Sequence, residues 1–158
     1  MDLSETRRAA AEAVHRLVDR RETLATAESL TGGLVAATVV EIPGVSAVFR
    51  GGLVVYATEL KATLAGVPAD LLAERGPVDP DVAAHLARGA RELCGASWGL
   101  STTGVAGPEP QGGAAVGTVF VAVSGPVDRV RAPQLHGTRT QIRAGAVAAA
   151  LDLLASVL

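Results

Sequence analysis

Along residues 3–20 the apolar side chains of Ala10, Ala13, Val14, Leu17 and Val18 recur at helical spacing, with arginines and acids on the other side. That stripe predicts an amphipathic helix packed on a sheet. Thr23–Ala27 then reads as a short strand, and the chain passes through Glu28-Ser29-Leu30 and Thr31-Gly32-Gly33 into a helical run, Leu34–Val40, stopped at Ile42-Pro43-Gly44. Gly51–Ala57 is a Val-rich, nearly continuous apolar run of the kind that forms a buried strand, and Glu59–Leu64 resumes helically before Pro68. Pro80 opens a further helix to Cys94, Trp98–Thr103 reads as a strand, and Gly104–Gly113 as a Gly/Pro-rich loop. Val116–Ser124 has clear strand character, Val127–His136 is expected to pair with it around Ser124-Gly125-Pro126, and an Ala/Leu/Val helix over 139–157 closes the chain. Strands alternating with helices across short connections predict an α/β protein, a three-layer α/β/α sandwich with a mixed, mostly parallel sheet.

The 158 residues suit one domain spanning 1–158, and 49% hydrophobic against 19% charged residues excludes a disordered chain. With only 3% aromatic residues the core must be built from Ala, Val and Leu. Net charge is −2, the sequence pI is about 5.9, and no run of arginines exceeds a pair, so the basic footprint of a nucleic-acid binder is missing. The N-terminus carries acids early and no apolar signal core, and the uncharged stretch 110–127 is broken by glycines and Pro126 before it reaches membrane-spanning character. One cysteine and three histidines, at 15, 85 and 136, have no metal-site spacing. These observations predict a cytoplasmic protein without metal or cofactor, with no nucleic-acid or membrane partner.

The cations are unusual: 13 are arginines and one, Lys61, is lysine. A composition that replaces lysine by arginine wherever charge alone matters points to the retained lysine as a needed amine; a solvated lysine that escaped the bias by chance is the competing reading. Arginine stays protonated at any working pH, whereas burial or a neighbouring cation brings lysine toward neutrality and makes it a base. The nearest hydroxyls are those of Tyr56, the only tyrosine, and of Thr58, which stands one helical turn before Lys61 and is a competing nucleophile. Elsewhere, Ser29 sits at a strand-to-helix junction where the amides of Thr31, Gly32 and Gly33 offer donors to a phosphate or an oxyanion. The ordinary role of such residues is capping, by Glu28, Ser29 or Thr31, and the junction taken by itself favours the cap. In the second glycine loop, Thr103, Gly104 and Gly107 follow a strand, where α/β sheets bind ligands, with Thr118 shortly after. A plain turn is the competing reading there. Arg139 and Arg143, one turn apart at the start of the last helix, are candidate phosphate clamps or a solvated face.

Five segments taken in order, TAESLTGG at 26–33, GGLVVYATELK at 51–61, TGVAGP at 103–108, VGTVFVAV at 116–123 and GTRTQIRAGAV at 137–147, resemble the CinA C-terminal domain family over residues 5–155. Stand-alone members of that family act as nicotinamide-nucleotide amidases. The resemblance implies hydrolysis of the carboxamide of nicotinamide mononucleotide by a serine nucleophile paired with a lysine. It places the nucleophile on Ser29 and the lysine on Lys61, with Tyr56 in support, and implies a homodimer. The substrate phosphate would fall to loop amides, Thr103 or Thr118, and one of Arg139 and Arg143. Leu30, Ala57-Thr58 and Ala115 stand where family members commonly carry Cys, Ser-Asn and Lys. A non-catalytic nucleotide-binding module and a serine amidase of another substrate are the alternatives.

Overall fold

The computed structural model describes residues 3–158. Its elements are α1 (Leu3–Arg20), β1 (Leu24–Glu28), α2 (Leu34–Val40), β2 (Phe49–Val54), α3 (Thr58–Thr63), α4 (Ala69–Arg75), α5 (Pro80–Cys94), β3 (Trp98–Gly104), β4 (Val119–Ser124), β5 (Arg129–Arg131) and α6 (Arg139–Val157). The five strands form one sheet in the order β2-β1-β3-β4-β5. β1 pairs parallel with β2 and β3, and β4 runs antiparallel to both β3 and β5, so four of the five strands point the same way.

Strand alternation distributes the core between two faces. Leu24, Leu100, Val121 and Val123 face α1, α2 and α6, whose Val14, Leu17, Val35, Ala146 and Leu151 complete that cluster. On the opposite face Ala25 and Ala27 meet Val82, Leu86 and Ala90 of α5 and Leu72 of α4. The small residues are what let α5 lie close on the sheet: a Cβ on Gly99 would fall 1.8 Å from the Ala87 carbonyl oxygen. The result is the expected three-layer sandwich. Two of the long helices open on their own sequence signals, α5 on Asp79 accepting from the N–H groups of Asp81 and Val82, α6 on a capping box between Thr138 and Gln141. α6 is long and apolar enough by composition to cross a membrane. Here its apolar residues, Ile142, Val147, Leu151 and Leu154 among them, are buried against α1 and the sheet.

Several expectations about the elements are corrected. The run 51–57 is neither fully strand nor fully buried: β2 ends at Val54 and alternates between half-buried and exposed because it is an edge strand. The 127–136 partner strand shrinks to Arg129–Arg131, and its predecessor starts at Val119. Val18 is 41% exposed at the rim of the α1 stripe. A short helix, α4, fills the connection after Pro68 that the hydrophobic pattern left unassigned.

The parallel arrangement of β1, β2 and β3 places their C-terminal ends along one edge of the sheet. Since β2 and β3 flank β1 on opposite sides, the chain leaves the end of β1 at a topological switch point, where open α/β sheets have a crevice. Residues 29–33, 55–58 and 104–111 all converge there.

Candidate active site

The cleft at that edge is lined by Ser29 and Leu30 after β1, Tyr56, Thr58 and Lys61 from the end of β2 and α3, Pro77 and Val78 before α5, Thr103–Gly107 after β3, then Glu109, Gln111 and Arg139. At its floor the Lys61 amine lies 3.1 Å from the Ser29 hydroxyl oxygen. Lys61 is 1% exposed, and its remaining contacts are the carbonyls of Val55 at 2.7 Å and Tyr56 at 3.4 Å. No carboxylate lies within ion-pair distance of it among the described residues. Burial without a counter-charge lowers its pKa from 10.5 to about 8, with the carboxylate of Glu59 pulling it partly back up.

The surroundings accommodate both protonation states. As an ammonium, Lys61 has three N–H donors for two carbonyls and the serine oxygen; as an amine, two N–H groups serve the carbonyls and the lone pair faces the serine hydroxyl. Proton transfer between Ser29 and Lys61 therefore requires no rearrangement of partners. Thr58 is exposed at the start of α3, and its hydroxyl makes no bond to Lys61, so the amine is directed to Ser29 instead.

Ser29 is free for this contact because it is not the cap. Glu28, 1% exposed, supplies the carboxylate that opens α2: Oε1 accepts from the Thr31 hydroxyl at 2.6 Å and from the N–H groups of Gly33 at 3.2 Å and Val35 at 2.8 Å, and Oε2 accepts from Ala36 at 3.0 Å. The Thr31 hydroxyl and the Gly33 N–H are thus occupied from within, and the Gly32 N–H donates to the Ser29 carbonyl at 3.0 Å. None of the three lines the cleft. Arg143 is likewise internal, its Nε donating to the Leu30 carbonyl at 2.9 Å and its Nη2 to the Thr31 carbonyl at 3.0 Å. Thr118 also lies outside the cleft lining; its carbonyl accepts from Val105 N–H and braces the second loop.

The remaining candidates do converge. Gly104 and Gly107 form one wall of the cleft, and Thr103 lies beneath it with its hydroxyl donating to the Pro77 carbonyl at 2.6 Å. Arg139 closes the mouth, its Nη1 donating to the Gly107 carbonyl at 2.6 Å and its Nη2 to the Tyr56 hydroxyl at 3.1 Å. Tyr56 reaches Lys61 through its carbonyl rather than its hydroxyl, and the residue is 59% exposed. The N–H groups of Leu30, Ala106 and Gly107, all lining residues, donate no hydrogen bond to protein among the described residues.

Glu28, Pro77-Val78, Glu109 and Gln111 are site residues that the sequence did not single out as such. For Glu28 a signal existed, an acid immediately ahead of a glycine-rich helix start. For Pro77-Val78 there was none, because only the packing of the α4–α5 connection brings them to the cleft.

The fold and site thus define a mixed α/β sandwich with a buried serine–lysine contact in a strand-end cleft. Comparison with known proteins specifies it further: the model of the CinA C-terminal domain matches residues 6–158, and the chain belongs to that family. A CinA-like protein of Frankia casuarinae is 51% identical over 143 residues, covering 90% of this chain and 33% of that protein. The chain thus spans about a third of the length of the curated relatives it matches. Among solved structures, a competence-damaged protein (CinA) superfamily protein from Escherichia coli superposes with a TM-score of 0.95 at 27% identity, over 100% of this chain and 94% of that one. A competence/damage inducible protein from Agrobacterium tumefaciens gives a TM-score of 0.91 at 31% identity, with 99% of both chains covered.

Proposed function

We propose that this chain is an amidohydrolase that converts nicotinamide mononucleotide to nicotinate mononucleotide and ammonia, using Ser29 as nucleophile and Lys61 as its base. The observation that carries this reading is the buried Lys61 amine 3.1 Å from the Ser29 oxygen, with no ion-pair partner among the described residues and a pKa brought to about 8.

In the first half-reaction neutral Lys61 takes the Ser29 proton while the oxygen bonds to the carboxamide carbon. The oxyanion meets the free Leu30 N–H, the amide following the nucleophile. Collapse breaks the C–N bond, and the Lys61 ammonium returns its proton to the leaving nitrogen, which departs as ammonia. In the second half-reaction water gives a proton to Lys61 and attacks the acyl carbon; the C–O bond to Ser29 breaks and the serine is reprotonated, leaving a carboxylate. The free amides of Ala106 and Gly107 and the guanidinium of Arg139 are the groups available to a phosphate at the cleft mouth. Arg143 is not among them, since it is committed to the serine turn. The family resemblance extends the proposal to a cytoplasmic homodimer, which light scattering on the purified chain tests for its oligomeric part.

Ammonia release from nicotinamide mononucleotide, measured on the wild type, S29A and K61R, tests the chemistry. The expected outcome is turnover in the wild type and a loss on the order of 1,000-fold or more in each variant. Full activity in K61R would overturn the assignment of Lys61 as base, because arginine keeps the charge and cannot accept the proton. Calorimetric binding of the nucleotide by a wild type that shows no turnover would favour a binding module instead.

A further inference from the structure

The buried carboxylate beside the nucleophile has no step in the chemistry above, yet its placement is unusual. Val35 and Ala36 are the second and third residues of α2, and their N–H groups have no partner inside the helix. A short polar side chain directly before the helix ordinarily takes them. Here that position is Gly33, at φ 102° and with no side chain to offer. The donors are taken by Glu28, which reaches over the turn from the end of β1.

The rest of the turn closes around the same carboxylate. Thr31 has one hydroxyl proton and gives it to Glu28, so the 2.8 Å contact between the Thr31 and Thr102 hydroxyls is a donation by Thr102. The Thr102 carbonyl in turn accepts from Ser29 N–H at 3.0 Å. The hydroxyls of Thr31 and Thr102 are thereby both committed, and only that of Ser29 stays outside the network, on Lys61. Ser29 and Thr31 are the hydroxyl side chains of this turn, and both are residue types that cap helices when no other acceptor does so.

We propose that Glu28 is a positioning residue: by capping α2 in place of the turn's hydroxyls, it holds the Ser29 oxygen on the Lys61 amine. The proposal rests on the amidase reading of the site. Glutamine is a poor substitute, because all four groups around the carboxylate are donors and an amide NH2 must then face one or more of them.

The test compares the 158-residue wild type with E28Q and T31V, at a temperature where circular dichroism shows each folded. Two readouts are taken at pH 8: steady-state ammonia release from nicotinamide mononucleotide, and the rate at which phenylmethylsulfonyl fluoride labels Ser29. E28Q is expected to lose about 100-fold in kcat with KM within about threefold, and to lose labelling in step, as a misplaced nucleophile does. T31V removes one donor and leaves three amides on the carboxylate, so a drop of about fivefold is expected. Wild-type kcat and labelling in folded E28Q overturn the positioning role and leave the amidase reading standing. A loss that vanishes on cooling, in step with a lowered melting temperature, also overturns it, because capping would then serve stability alone. If E28Q does not fold, unchanged kcat and labelling in T31V overturn the proposal. A wild type that neither releases ammonia nor is labelled overturns both the proposal and the reading beneath it.

Discussion

Two glycine-containing turns follow two neighbouring parallel strands, 29–33 after β1 and 104–113 after β3, and they meet opposite fates. The first is filled from within. Glu28 takes its helix-opening N–H groups, and Arg143 takes its carbonyls at Leu30 and Thr31, so a buried anion and a cation from the last helix hold the turn from two sides. The second is left open: its wall faces the cleft, the amides of Ala106 and Gly107 are unpaired among the described residues, and Arg139 ties it at one carbonyl. The difference shows how a glycine-rich turn is put to use. One with charged residues packed onto it holds a side chain in place, here Ser29, whereas one with free amides leaves donors facing the cleft.

This contrast separates the two arginines that look alike in sequence. R143A removes the support of the serine turn, so kcat is expected to fall about 100-fold with little change in KM, and R143K is expected to recover little because a point donor does not span two carbonyls. R139A acts on the open loop and should raise KM about tenfold while leaving kcat within a factor of three. Steady-state kinetics on nicotinamide mononucleotide distinguishes them, and equal effects on kcat would erase the contrast. The smallest expected effect is that of pH. On the proposed mechanism Lys61 acts as base only when neutral, and with its pKa near 8 the active fraction falls as pH falls through that value. Between pH 8 and 7 kcat/KM should drop about fivefold, while Arg139 keeps its charge and substrate binding stays level. A flat profile from pH 6.5 to 9 would remove Lys61 from the role of base.

Much of the fold was legible because it is written in local pattern. The stripe of α1 and Pro80 at the start of α5 are signals within a few residues of the elements they specify. The misjudged elements are those whose burial depends on neighbours. An apolar run at 51–57 looks the same at the centre of a sheet as at its edge, and sheet order made β2 the edge. The candidate site divides along the same line. Ser29, Lys61, Gly104, Gly107 and Arg139 were nameable from residue type and motif, and they do meet in one cleft. Thr31, Gly32, Gly33, Thr118 and Arg143 lie outside the cleft lining, because residue type and motif say nothing of which groups arrive to pair a donor.

The sequence by itself determined that an arginine-rich chain keeps a single lysine, that its strands and helices alternate, and that a serine stands at a strand-to-helix turn. Which of those residues meet, and in what surroundings, was decided by the tertiary structure. Only the parallel pairing of β1 with β2 brings residue 61 to within 3.1 Å of residue 29, and only burial lowers the amine toward neutrality. Only the folded turn brings the Glu28 carboxylate over the N–H groups of Val35 and Ala36. Contact and desolvation belong to the packed chain, since both depend on groups that are distant in sequence and adjacent only when folded.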